Sequence, residues 1–289
     1  MCAVLVAVLA GSVGSYCGVN PFVDFTPDSC SAAKGTDPRH TKLTGDEAGK
    51  LLDDARQHTA ARRYAEALES ITAYHYGARS AVGHGGVRLS FAIHDWYSLG
   101  EAYPPAMSAL LRARDEAADA VLRDTFCGDD FDAFSDVSAI NQRLGARAKT
   151  AELFVKIAEV APERARGLYL VAESELVFAG FHQQSNRFLD PEGTLQLAIL
   201  SEHGLREFRK GQKPDLEQER FERAYRTRRL ATLAALLVAN GRKVEADKFA
   251  AKAKTAFPDA DLAAAMDQAL LGHFPRAPDV GAQEAPPAR

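Results

Sequence analysis

The sequence predicts an all-α protein assembled from stacked helix pairs, and three observations predict it. From Thr44 to Phe274 nearly every segment places apolar residues at i, i+3, i+4 and i+7, the period of a helix with one buried face. Strand-like alternation of Val, Ile and Thr is nearly absent over the same stretch. The helical pattern also resembles itself along the chain. With 289 residues, 46% of them hydrophobic, the chain has enough apolar side chains for a core, which excludes global disorder. Its 35 basic and 39 acidic residues leave a net charge of −4, without the basic excess of a nucleic-acid binder. Four Cys cannot build a disulfide scaffold of this size.

The ends differ from the body. Residues 3–10 (AVLVAVLA) are continuously apolar, shorter than the roughly 20 residues of a membrane-spanning helix. Followed by Gly11, Ser12, Gly14 and Ser15, they fit the apolar part of a secretory signal over residues 1–17, with cleavage after Ala10 or Ser15. No Lys or Arg precedes Lys34, so the basic element of such a signal is missing. Two readings stay open: an exported (periplasmic or secreted) protein, or a cytoplasmic one whose first segment is buried. Tyr16 beside Cys17 departs from the small-residue pattern of lipoprotein signals. Residues 18–43, with Pro21, Pro27, Gly35 and Pro38, read as a linker or extended arm. Residues 275–289, with four prolines, read as a disordered tail. In an exported chain Cys30 and Cys127 either pair, tying the arm to the body, or stay unpaired; spacing alone does not decide.

The helix starts of the body, 44–274, are legible. Thr44-Gly45-Asp46-Glu47 is a capping box, in which the Thr hydroxyl and the Glu carboxylate satisfy orphan amides. Ala161-Pro162 and Asp190-Pro191 place Pro at a first helical position, where its missing N–H costs nothing. Asp215 followed by Gln218 is another cap signal. Breaks fall at Gly77 to Gly86, Pro104-Pro105, Gly128 to Asp130, Gly145, Gly180, Gly211 to Pro214, Gly241 and Pro258.

Between those breaks the helices pair. Residues 48–75 place Ala55 opposite Ala67, with Tyr64 in the turn. A pair over about 88–103 and 106–123 follows, its first helix carrying Trp96, Leu99 and Tyr103 on one face and Gly100 where a partner backbone comes close. Residues 135–162 put Ala139 and Ala151 at the contact, with Ala158 below and Pro162 closing the unit. Residues 169–189 give a degenerate copy around Gly180, and 191–211 an amphipathic helix without a repeat partner. In 230–258 a helix ends at Gly241 and a second begins at once, with Ala234 against Ala246, then Ala253, and Pro258 at the close.

The W-x-x-L-G-x-x-Y run from Trp96 to Tyr103, and the small residues of 230–258, resemble the tetratricopeptide repeat, a helix–turn–helix of about 34 residues. The likeness covers roughly 44–190 and 215–260, and its specific matches are 96–103 and 230–258. It implies a right-handed α-solenoid of antiparallel helix pairs, about ten helices, because stacked pairs bury faces that one pair alone leaves open. It also implies a concave groove lined by the first helix of each pair, holding Arg56, Tyr97, Glu101 and Asp136. Some members of that superfamily grip a terminal carboxylate with Lys, Asn and Arg on this face. The matching positions here, Leu52 and Arg56, Tyr97 and Glu101, Asp136 and Ile140, Ala231 and Ala235, hold no Lys or Asn, so that clamp is not implied.

Chemistry-bearing motifs are sparse. His75, His84, His94 and Asp95 surround a Gly-rich loop, but the spacings of nine and ten residues between the His match no zinc pattern. Ser80, Ser90 and Ser98 lie near these His without a G-x-S-x-G elbow, and no phosphate-binding Gly loop is present. In 220–229 (RFERAYRTRR), Glu219–Arg223 and Glu222–Arg226 form Glu-first i,i+4 pairs, the pattern of a solvated helix face. The sequence therefore points to a non-catalytic binding or scaffold protein that needs no cofactor. It would hold an unidentified protein or peptide, not nucleic acid, with no integral membrane span and no evident small-molecule substrate. The alternatives are a hydrolase or metal-dependent enzyme using His84, His94 and Asp95, and a cytoplasmic helical-repeat regulator.

Overall fold

The structure is a computed structural model that describes residues 42–123, 130–211, 213 and 215–275. The signal segment 1–17, Cys30, Cys127, nearly all of the 18–43 arm and all but the first residue of the 275–289 tail lie outside the described residues. The described residues are helical, without a strand, and no helix among them is long and apolar enough to cross a membrane. The chain divides into two compact units, the first ending at Gly180 and the second beginning at Phe181.

The first unit runs α1 (Gly45–Ala60), α2 (Tyr64–Gly77), a 3-10 turn (Ala78–Ser80), α3 (Gly85–Leu89), α4 (Phe91–Ala102), α5 (Pro104–Leu122), α6 (Asp130–Arg143), α7 (Arg147–Val160) and α8 (Pro162–Phe178). The second runs α9 (His182–Ser185), a 3-10 turn (Asn186–Phe188), α10 (Pro191–Phe208), α11 (Leu216–Ala239), α12 (Lys243–Ala256) and α13 (Ala260–Leu270). The short α3 and α9 have no counterpart in the sequence reading, because five and four residues are too few to display a period. As a result, the degenerate copy over 169–189 has a full first helix and only a short turn of helix after Gly180.

The caps form as their residues dictate. Glu47 N donates to Thr44 Oγ1 while Thr44 N donates to Glu47 Oε2, closing the capping box of α1. Asp190 accepts from Gly193 N ahead of Pro191, and Asp215 accepts from Glu217 N and Gln218 N at the start of α11. Asp259, which the sequence reading passed over, caps α13 in the same way.

One turn recurs three times with the same spacing and the same closing hydrogen bond, and Phe178, Gly180 (φ 77°) and His182 repeat its spacing. α1 ends at Ala60, Arg62 takes a left-handed φ of 58°, and α2 begins at Tyr64. Arg143, Gly145 (φ 69°) and Arg147 repeat this between α6 and α7, and Ala239, Gly241 (φ 74°) and Lys243 repeat it between α11 and α12. In each case the next amide donates back into the preceding helix: Arg63 N to His58 O, Ala146 N to Asn141 O and Arg242 N to Leu237 O, at 2.8, 2.7 and 2.8 Å. This is the Schellman closure, which satisfies carbonyls at a helix end.

Burial keeps the same register around that turn. Seven residues before it stand Ala55, Ser138 and Ala234; five after it, Ala67, Thr150 and Ala246; twelve after it, Tyr74, Ile157 and Ala253. All are buried. In the middle pair this register falls on Ser138 and Thr150, one residue before Ala139 and Ala151, of which Ala151 is fully buried as well. Thr150 still fits because its hydroxyl accepts from Asn141 Nδ2 at 3.0 Å. Pro162 and Pro258 begin the next junction at matching places, and in the first hairpin that place is Arg79.

Within the first unit the long helices pack on their successors, and α1, α4, α6 and α8 also touch in sequence (α1 on α4, α4 on α6, α6 on α8). In the second unit, α11 packs on α10, α12 and α13, and α12 on α13. The α4–α5 junction is one of the shortest, like the single-residue junctions at Ser90 and Ala161. Tyr103 alone separates the helices, and Pro104 and Pro105 open α5 where the sequence suggests that helix begins at 106. Trp96, 1% exposed, donates its indole N–H to Ala106 O at 3.1 Å. A Cβ on Gly100 would sit 3.0 Å from Met107 N and Cα, so only glycine admits this approach.

Candidate functional site

The polar centre of the first unit is buried. Asp136 on α6 is fully enclosed and accepts hydrogen bonds from Arg88 on α3 and from Arg79 Nη2 at 2.8 Å. Arg88 is itself 1% exposed. His75, at the end of α2, places Nε2 3.7 Å from Asp136 Oδ2, beyond hydrogen-bond reach, and its ring meets Trp96 edge-on at 5.4 Å. Burial alone would raise the Asp136 pKa; the charges of His75, Arg88 and Arg79, with the Arg88 hydrogen bond, outweigh it and hold the carboxyl below its usual range. Burial drives His75 down to about 4, so the imidazole is neutral near pH 7.

The residues 78–90 supply both guanidiniums. They also approach α1, since Val82 O lies 3.1 Å from where a Gly45 Cβ would be, and His84 lies beside Gly49. His84 Nδ1 is 3.1 Å from the Tyr74 hydroxyl, whose pKa burial raises to about 12. The segment is thereby tied to α1, α2 and α6 at once. Its chemistry is a buried ion cluster in which Asp136 is covered by both guanidiniums, while Arg79 Nε, Arg88 Nε and His75 Nδ1 are buried without a hydrogen-bond partner.

Asp136 is therefore not a groove residue. The sequence reading assigns it to an open face, but the side chains of Arg79 and Arg88 cover it. Leu52, Ile140, Ala231 and Ala235, the companion inner positions, are buried as well. The residues that do reach the surface lie on α1, α4 and α6. Arg56 Nε donates to Asp95 Oδ2 at 2.8 Å, joining α1 to α4. The Arg143 guanidinium lies 4.6 Å from the centre of the Tyr97 ring, joining α6 to α4. At 100° per residue, Asp95 and Tyr97 mark opposite edges of the exposed face of α4, and His94, Ser98 and Glu101 form the ridge between.

His84 Nδ1 faces the Tyr74 hydroxyl, and Asp95 pairs with Arg56. Among the described residues no group of three or more His, Cys, Asp or Glu is placed to hold a metal ion. Comparison with known proteins finds no matching family model, no matching curated protein and no matching solved structure. Function is therefore read from the chain's own residues.

The Arg-rich stretch pairs differently from its helical spacing. Arg226 binds Glu202 of α10, Arg223 approaches Asp259 Oδ2 at 3.4 Å, and Glu222 takes Arg209. The expected Glu219–Arg223 and Glu222–Arg226 pairs give way because packing of α10 and α13 on α11 brings carboxylates to shielded positions, where attraction is less screened by water. Sequence reasoning also missed the Asp136–Arg88 pair. The two residues lie 48 apart, and Arg88 sits in a helix too short to have a readable face.

Proposed function

We propose that this chain is a non-catalytic, tetratricopeptide-like repeat protein that holds a peptide or protein partner against the α1–α4–α6 face. The observation that supports the reading is the turn and burial register that the α1–α2 and α6–α7 pairs of the first unit share, since repeated helix pairs present one helix each to a common face. An exported setting suits the apolar 3–10 segment. Tyr97 is the anchor of the proposed face, because an aromatic ring buries much area at little entropy cost. Its stacking under Arg143 fixes it before a partner arrives.

Crosslinking and capture from the native cell envelope, with wild type beside Tyr97→Ala and Trp96→Ala, tests this. The reading expects a partner recovered by wild type, binding weakened by more than ~1 kcal/mol in Tyr97→Ala, and a smaller loss of stability in that variant than in Trp96→Ala, since Tyr97 packs only partly on the core. Trp96→Ala should instead soften the fold. Equal capture by wild type and Tyr97→Ala, or equal loss of stability in both variants, sinks the proposal.

A further inference from the structure

We infer that the second unit carries a site for an oxyanion, a phosphate or carboxylate group, in the cleft where the end of α10 and the start of α11 meet the turn into α13. The cleft encloses about 590 Å³, within the range of small-ligand sites. Five cationic side chains and four carboxylates line it, so net charge contributes little and the hydrogen-bond inventory decides what it takes.

Three of the four carboxylates, all but Glu219, are engaged. Glu202 accepts from Arg206 Nε at 2.9 Å and from Arg226 Nη1. Glu222 accepts from Arg209 Nη2 and from Gln218 Nε2. Asp259 accepts the Asp261 and Leu262 amides and faces Arg223. The guanidiniums are not engaged to the same degree. Each has five N–H donors, while Arg206, Arg209 and Arg226 each give one hydrogen bond to these carboxylates. Arg226 Nε is buried with no acceptor at all.

The floor is built rather than loose. The Arg226 guanidinium lies 4.4 Å from the centre of the buried Phe257 ring, and Glu202 holds it from the other helix. A cleft whose four guanidiniums hold more N–H donors than its carboxylates can accept matches a ligand that brings only acceptors. An oxyanion does so, and its paired oxygens fit the guanidinium fork. This site is independent of the α1–α4–α6 face.

Arg206 and Arg223 are the informative positions, because their side chains are 74% and 53% exposed and neither supports the buried Glu222. Calorimetric titration of the full chain with inorganic phosphate and, separately, with succinate at matched ionic strength reads the site. Saturable binding of either anion, weakened tenfold or more in the double variant Arg206→Gln/Arg223→Gln with an unchanged melting temperature, supports the proposal. The anion that binds tells phosphate from carboxylate. Absence of saturable binding by both anions, or binding unchanged in the double variant, overturns it.

Discussion

Arg88 and Asp136 meet as an ion pair from which water is excluded, one on a helix of five residues and the other on the middle of α6. A helix that short does not persist alone, because nucleation costs more than so few hydrogen bonds return. The pair, with Arg79, fastens residues 78–90 to α6, beside the His84–Tyr74 contact with α2.

Removing Asp136 should therefore be far more costly than removing Asp95. Asp136→Ala strands a buried guanidinium, and breaking such a pair costs roughly 3–5 kcal/mol. Asp95→Ala breaks a pair whose side chains are 30% and 47% exposed, for which at most about 1 kcal/mol is expected. Urea unfolding of the two variants checks this, and equal losses would contradict the burial seen here.

Stability should fall on mild acidification. The pKa of His75 is about 4 folded against an ordinary 6.5, so the unfolded chain binds more protons between those values. The stabilisation is complete above pH 6.5 and is lost as pH drops through about 4, on the order of 3 kcal/mol in all. Asp136 adds a loss of the same sign at lower pH, because its folded pKa is also depressed. His75→Gln should flatten the slope of unfolding free energy between pH 6.5 and 4 and also shrink the lower limb, since His75 is one of the charges that hold Asp136 down.

Two glycines should respond in opposite directions to alanine. Gly100→Ala forces a Cβ against the backbone of Met107, and overpacking of this kind costs about 1–3 kcal/mol. Gly204, inside α10, has open space where its Cβ would go, so Gly204→Ala should gain up to ~1 kcal/mol from helix propensity. Thermal melts of both variants decide.

The recurrent register makes a further demand. Ala67 and Ala246 are both fully buried five residues after a left-handed turn, so leucine at either should cost about 1–3 kcal/mol. Ala251→Leu, on the exposed side of α12, should stay within about 0.5 kcal/mol of wild type. Denaturant midpoints for the three variants check the shared register.

Local features were legible where a residue acts within its own helix or turn. The Thr44 capping box, the Asp215 cap, Pro162 and Pro191 at first positions, and Gly100 at a close approach all follow from short-range sterics and hydrogen bonding. The candidate face was legible only in part. Arg56, Tyr97 and Glu101 do reach the surface, but Asp136 does not, since its concealment depends on side chains 48 and 57 residues away.

By itself, then, the sequence determined the helical class and most helix ends, because periodicity and caps are properties of neighbours along the chain. Only the tertiary structure decided that the chain divides at Gly180, that residues 78–90 fold onto α6, and that the arginines of α11 reach to Glu202 and Asp259. Each of those depends on which distant charges packing brings together in shielded surroundings. Coulomb attraction there grows as water is removed, and no spacing along the chain records how much water remains.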